Sequence, residues 1–120
     1  MNQDDYLDSL RMLPALPWID ANRGDSAFAS NRFGPTAKAR EFIEMLFEQG
    51  AVEVFVADPR EEEDRILTEG GPYADTLVVV MPEDPVERAA LFKVFDREAG
   101  APTGVVSPDE GQTRVLLWWD

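Results

Sequence analysis

The side chains of this chain that could do chemistry are almost all carboxylates. Its 120 residues include 24 Asp and Glu against 11 Lys and Arg, with no His and no Cys. Without an imidazole or a thiol, the chain lacks the ordinary general base, the thiolate nucleophile and the usual zinc, copper and haem ligands. We therefore expect a non-catalytic protein that uses no metal and no cofactor.

The carboxylates are not spaced for catalysis or for metal binding. Four of them are consecutive, from Glu61 to Asp64, and successive side chains of a helix or strand point apart instead of converging on a cation. This run is typical of a solvated acidic loop. Glu53 alternates with valines in a predicted strand and should face water. The serines have no imidazole to activate them and lie in no Gly-x-Ser-x-Gly elbow.

The chain carries a formal net charge of −13 at pH 7, and most of it lies in the second half. Nucleic acids and anionic lipids recruit proteins through clustered Lys and Arg, so neither a nucleic acid nor a membrane is expected as a partner. The first residues lack the pattern of a signal peptide, and no apolar run is long enough to span a bilayer. We expect a cytoplasmic protein, which the absence of Cys also fits.

One segment, residues 22 to 40, is locally cationic. Arg32, Lys38 and Arg40 surround the start of a predicted helix, where free backbone N–H groups favour a negative charge. These three residues are the candidate ligands of an anion or a metabolite. The alternative is that they pair with the acidic groups of the same chain.

Apolar periodicity and turn residues predict the helices and strands. Three-and-four spacing predicts a helix between Pro35 and Gly50, and two-residue alternation predicts a strand at Val52 to Val56. A continuous apolar run predicts a central strand at Thr76 to Met81, and an N-cap at Asp84 predicts a helix that runs to Ala99. The other predictions are a short helix at Asp4 to Leu13, an edge strand or extended arm at Leu16 to Ile19, a loop at Ala21 to Gly34, an acidic excursion with one helical turn at Arg60 to Pro72, and a hairpin of Thr103 to Ser107 with Thr113 to Trp119.

This order of elements predicts an α+β fold. We expect a two-layer sandwich, in which a mostly antiparallel sheet of four to five strands carries two main helices on one face, plus a short N-terminal helix. If Leu16 to Ile19 counts as a strand, the order βαββαβ resembles the ferredoxin-like arrangement. The length fits a single domain of residues 1–120, in which residues 1–20 form a cap and 35–119 form the core. That fold hosts many activities and assigns none.

Two apolar features are candidate interfaces. Trp118 and Trp119 are adjacent on the last predicted strand, so one indole should point inward and the other outward. In the last predicted helix, Val86, Ala90 and Val94 form a second apolar stripe beside the face that packs on the sheet. Either feature could contact a protein partner or a second copy of the chain.

Three functions are consistent with these residues. The leading hypothesis is a small acidic protein-interaction or regulatory domain that forms a homodimer. The second is a sensing domain for a small anion or metabolite, and the third is an acidic inhibitor or immunity-type protein that binds a basic partner. No motif in the sequence decides among them.

Overall fold

Six helices and four strands make up the part of the chain that the computed structural model describes, residues 3–99 and 108–119. The helices are α1 (Gln3–Asp8), α2 (Ala15–Ala21), α3 (Ser30–Phe33), α4 (Thr36–Glu48), α5 (Glu63–Glu69) and α6 (Pro85–Ala99). The strands are β1 (Met12–Pro14), β2 (Glu53–Ala57), β3 (Thr76–Val80) and β4 (Arg114–Trp118). The predicted strand at Thr103 to Ser107 lies outside the described residues.

The four strands form one sheet in the order β1-β2-β3-β4, and each strand is antiparallel to its neighbour. This confirms the α+β class. The ferredoxin-like order is wrong for this sheet, because a split βαβ unit has two parallel strands with a third strand between them. Here β1 and β2 are direct antiparallel neighbours although three helices separate them along the chain. Those helices let the chain reverse direction before it returns beside β1.

The segment after β1 is the helix α2. The prediction of an edge strand or an extended arm at Leu16 to Ile19 is therefore wrong. Pro17 is the third residue of α2. A helix tolerates Pro in its first turn because the backbone N–H groups of that turn have no acceptor within the helix. Ala15 and Ile19 are buried in the main core. The edge strand lies earlier, at Met12–Pro14. The predicted loop at Ala21 to Gly34 likewise contains the short helix α3.

Helix α4 has the predicted apolar face, which is buried against the sheet; its members are Ala39, Phe42, Ile43 and Leu46. The turn after it requires Gly50, whose φ of +117° favours glycine. A Cβ at this position would lie 2.6 Å from a carboxylate oxygen of Glu87. The turn from α4 to β2 therefore packs closely against the first turn of α6.

Helix α6 begins where the capping residues predict. The Oδ2 atom of Asp84 accepts a hydrogen bond from the backbone N–H of Glu87 at 2.9 Å, which satisfies one of the free N–H groups at the helix start. Leu91, Phe92 and Phe95 are buried in the main core. The cap and this apolar face together fix the position of α6 on the sheet.

The sheet is covered unequally on its two faces. Alternate residues of the last three strands share the main core with α2, α4 and α6; they are Val54, Val56, Leu77, Val79, Val115 and Leu117. On the opposite face, Leu7 of α1 packs with Ala57 and Val78 in a smaller cluster. The two main helices thus share one face, and α1 adds a short cover to the other. Among the described residues, no helix has the length and apolar character that crossing a membrane requires.

We expect Asp84→Ala to lower the free energy of unfolding by about 1 kcal/mol, because the Glu87 N–H loses its acceptor. Denaturant unfolding followed by Trp fluorescence measures this change. Glu83→Ala is the matched control, since Glu83 is the exposed neighbour of the cap and should change stability by less than about 0.5 kcal/mol. Equal losses in the two variants would show that the cap bond does not stabilise α6.

Candidate functional site

A buried carboxylate joins three separate elements of the fold. Glu98 of α6 is 7% exposed. Its Oε1 atom accepts hydrogen bonds from Arg32 Nε at 2.7 Å and from Trp119 Nε1 at 3.1 Å, and its Oε2 atom accepts one from Arg32 Nη2 at 2.8 Å. The guanidinium carbon also lies 4.6 Å from the centre of the Phe33 ring. A bidentate cation and a third donor satisfy a buried carboxylate, so this cluster ties α3, α6 and the end of β4 together.

The ionisation of Glu98 follows from these contacts. Burial by itself would raise the pKa of Glu98, but the hydrogen bonds from Arg32 and Trp119 and the positive charge of Arg32 outweigh it, so the pKa lies below its ordinary value of 4.5. The hydrogen bond to Glu98 raises the pKa of Arg32 in turn. Glu98 is therefore a permanent partner of Arg32 at neutral pH and is not poised to transfer a proton.

The other two cations of the predicted anion site are also engaged by carboxylates of this chain. Arg40 Nε donates to Asp20 Oδ1 at 2.6 Å, and Arg40 Nη1 donates to Glu44. Lys38 Nζ lies 3.5 Å from a carboxylate oxygen of Glu41. All three predicted anion ligands thus have an acidic neighbour within the chain, which is the alternative that the sequence left open.

The two adjacent tryptophans have opposite environments, as strand alternation predicts. Trp119 is 1% exposed. Its ring meets those of Phe28, Phe33 and Phe42 edge to face, with centroids 5.3–5.7 Å apart, a favourable arrangement of aromatic rings. Trp118 is 44% exposed and lies on the sheet face opposite the main core. Of the pair, Trp118 is the one that a partner could reach.

The outer side of α6 carries a groove with a volume of about 880 Å³. Val86, Ala90 and Val94, the stripe that the sequence indicated, all line this groove. Val86 is 77% exposed, whereas Val94 is 3% exposed and belongs to the main core. Val94 therefore forms the floor of the groove and does not stand on the surface as a member of an outer stripe would. Gln49, just after α4, lines the other side.

Two cations line the same groove. Lys93 and Arg97 are one helical turn apart and exposed. Within the described part of the chain neither forms an ion pair, whereas other cations do, as Arg88 does with Asp109 at 2.7 Å. In a chain of net charge −13, this groove is apolar at one end and carries two cations and the carboxylate of Asp96 at the other. The sequence alone does not indicate the cationic end, because nothing along the chain shows which cations lack a carboxylate.

A second cleft, with a volume of about 590 Å³, lies between the loop before α3 and the loop before β3. The Tyr73 hydroxyl accepts a hydrogen bond from the Ser30 N–H at 3.1 Å, across 43 residues of sequence. Ser26, Thr68 and Asp25 also line it, and none of the three predicted anion ligands does. The carboxylate of Asp25 in this lining repels an anion. No pattern along the chain predicts this cleft, because it forms only when two distant loops meet.

The acidic run is partly helical. Glu61 Oε1 lies 2.8 Å from Arg11 Nη1, and α5 begins at Glu63, so carboxylates occupy its first turn, where the helix dipole favours them. Each described side chain of α5 is exposed, as expected of a solvated segment. Residues 3–99 and 108–119 contain no group of three or more carboxylates arranged to hold a metal ion.

The lowered pKa of Glu98 predicts how stability depends on pH. The ionised carboxylate stabilises the folded chain above its ordinary pKa of 4.5, and this contribution is lost as the pH falls through the lower pKa of the folded state. Glu98→Gln should therefore lower the free energy of unfolding near neutral pH by about 1.5–3 kcal/mol, because it removes hydrogen bonds to a charged group. The difference from the wild type should shrink as the pH falls below 4.5.

Denaturant unfolding measured from neutral pH down to about pH 3 tests this expectation. Glu48→Gln is the control, since Glu48 is exposed at the end of α4 and should have little effect at any pH. A constant difference between wild type and Glu98→Gln over the whole range would contradict the assignment.

Comparison of the chain with models of protein families, with curated proteins and with solved structures gave no match. The function must therefore be inferred from the surfaces of this chain.

Proposed function

We propose that this protein is a non-catalytic acidic interaction domain that associates with itself through the outer groove of α6. The observation that carries the proposal is Val86, a large apolar side chain that is 77% exposed on a helix. It lies at the rim of a groove that also includes Ala89 and Ala90 over the fixed floor of Val94. Exposed apolar side chains that lie together, as Val86 and Ala89 do here, favour contact with another protein.

The groove can contribute substantial binding energy. Burial of a Val side chain contributes about 1.5–3 kcal/mol, and small alanines beside it let another backbone approach closely. Because Val94 is part of the main core, the floor of the groove is held in place before a partner arrives. A preformed surface loses little conformational entropy when it binds.

The electrostatics of the groove also favour a protein as its partner. A net charge of −13 repels further copies of the chain and repels nucleic acids and anionic membranes. Lys93 and Arg97 outnumber Asp96 in the lining of the groove, so the repulsion of a second acidic molecule is lower there. The same reasoning supports a protein as the partner of this chain, with a second copy as the simplest case.

Two other surfaces support this function less well. Trp118 is 44% exposed on the opposite sheet face, but it lines neither the α6 groove nor the cleft beside Tyr73. The predicted anion-sensing role would require Arg32, Lys38 and Arg40 to leave their carboxylates and converge. An inhibitor or immunity-type role would use the acidic surface instead of the groove, and it remains a prediction from net charge.

We expect the wild-type chain to form a concentration-dependent oligomer and Val86→Asp to weaken its association at least about tenfold, since the variant loses an apolar contact worth more than about 1.4 kcal/mol. Size-exclusion chromatography with light scattering, followed by sedimentation equilibrium, measures both. Val52→Asp is the matched control, because Val52 is 60% exposed, lies outside the groove and receives the same new charge.

The controls also show which surface is used. A monomeric wild type at the highest soluble concentration would overturn the proposal. If Trp118→Ser dissociates the oligomer while Val86→Asp leaves it intact, the interface lies on the other face of the sheet. That result would also contradict the proposal that the groove is the interface.

A further inference from the structure

We infer that the occupant of the α6 groove is helix α5 of a second copy of this chain, bound antiparallel to α6. This inference rests on the proposed function and names the partner of the same site. It follows from two surfaces, each without a cover among the described residues, whose charge and apolar patterns complement each other.

Helix α5 leaves its described side chains largely uncovered. It is 7 residues long, and its described side chains are all exposed, including Leu67 at 78% and Ile66 at 38%. Isolated helices this short are marginal in water, and most helical stability in proteins comes from packing an apolar face. A surface that covers Leu67 would therefore stabilise α5.

The sequence of charged and apolar side chains along α5 complements that along the groove when the two helices run in opposite directions. On α5, Glu63 precedes Leu67 by one turn on the same face. On α6, the apolar Val86 and Ala90 precede the cationic Lys93 by one to two turns. If the helices run antiparallel, Leu67 meets the apolar end of the groove while Glu63 meets its positive end. The spacings along the two helix axes are similar, about 4.5 Å from Ala90 to Lys93 and about 6 Å from Glu63 to Leu67.

The charges at this contact are available for it. Within the described part of the chain Glu63, Asp64 and Lys93 form no ion pair, and the charge of Arg97 also acts on its neighbour Glu98. Pairing them would place the unpaired cations of the groove against part of the acidic run. The contact would thus join opposite charges locally in molecules that repel each other overall.

Helix α5 and the apolar end of the groove lie at opposite ends of the sheet. Helix α5 follows the end of β2 and precedes β3, whereas α6 begins after the end of β3. One molecule therefore offers both halves of the contact but cannot bring Leu67 to Val86 itself. The contact joins two different surface patches of neighbouring copies.

A mixing experiment tests this inference. Leu67→Gln removes the exposed apolar side chain of α5 but leaves the α6 groove unchanged, and Gln is as good a helix former as Leu. Val86→Asp places a charge at the apolar end of the groove but leaves α5 unchanged. Each variant alone should associate at least about tenfold more weakly than the wild type. An equimolar mixture should form a heterodimer through the intact α5 of one variant and the intact groove of the other, as measured by sedimentation velocity with one variant labelled.

Charge exchange provides a second test. Lys93→Glu should weaken association, and adding Glu63→Lys in the same chain should restore part of it. Tyr6→Gln is the control for loss of an exposed apolar side chain, since Tyr6 is 50% exposed on α1, and it should leave association unchanged.

The outcomes separate the two proposals. If Val86→Asp is monomeric while Leu67→Gln associates like the wild type, the groove is the interface but α5 is not its occupant, and this inference is wrong. If both variants are weakened and the mixture forms no heterodimer, the contact between α5 and the groove is also excluded. If the wild type is monomeric, the proposed function fails as well.

Discussion

The buried carboxylate of Glu98 is the interaction on which the arrangement of this protein depends. It fixes the C-terminal part of α6 to α3 through Arg32 and to the end of β4 through Trp119, while Asp84 caps the other end of the same helix. Loss of one partner would leave a buried charge without compensation, which costs far more than the loss of an exposed pair. Because α6 is held at both ends, its outer groove has a defined shape.

The acidic side chains of this chain have two roles. Some carboxylates neutralise cations within the fold, as Asp20 does for Arg40, and these pairs remove most of the cationic segment from the surface available to ligands. The remainder give the molecule its negative field. Against that field, the two cations of the α6 groove lower the repulsion of an acidic protein, and this links the proposed function to the net charge.

The elements of this fold that depend on local pattern could be predicted, and those that depend on distant contacts could not. The periodicity of α4, the apolar run of β3 and the cap of α6 are properties of short segments, and the structure has all three. Leu16 to Ile19 was assigned wrongly because Pro17 excludes a central strand but not the first turn of a helix. The order of the strands, the pairing of Arg32 with Glu98 across 66 residues and the burial of Val94 all depend on how elements meet in space. The groove was therefore predicted by its apolar residues but not by its depth or its charge.

The position of Trp119 has a consequence for the synthesis of this protein. Its indole completes the aromatic cluster of Phe28, Phe33 and Phe42, yet it is made after every helix of the described fold. While the chain grows on a ribosome, those phenylalanines have no indole to cover them, and exposed aromatic surface of this kind attracts chaperones and promotes aggregation. A chain that stopped before residue 119 would keep that aromatic surface open, so this part of the core closes only after the last strand has been made.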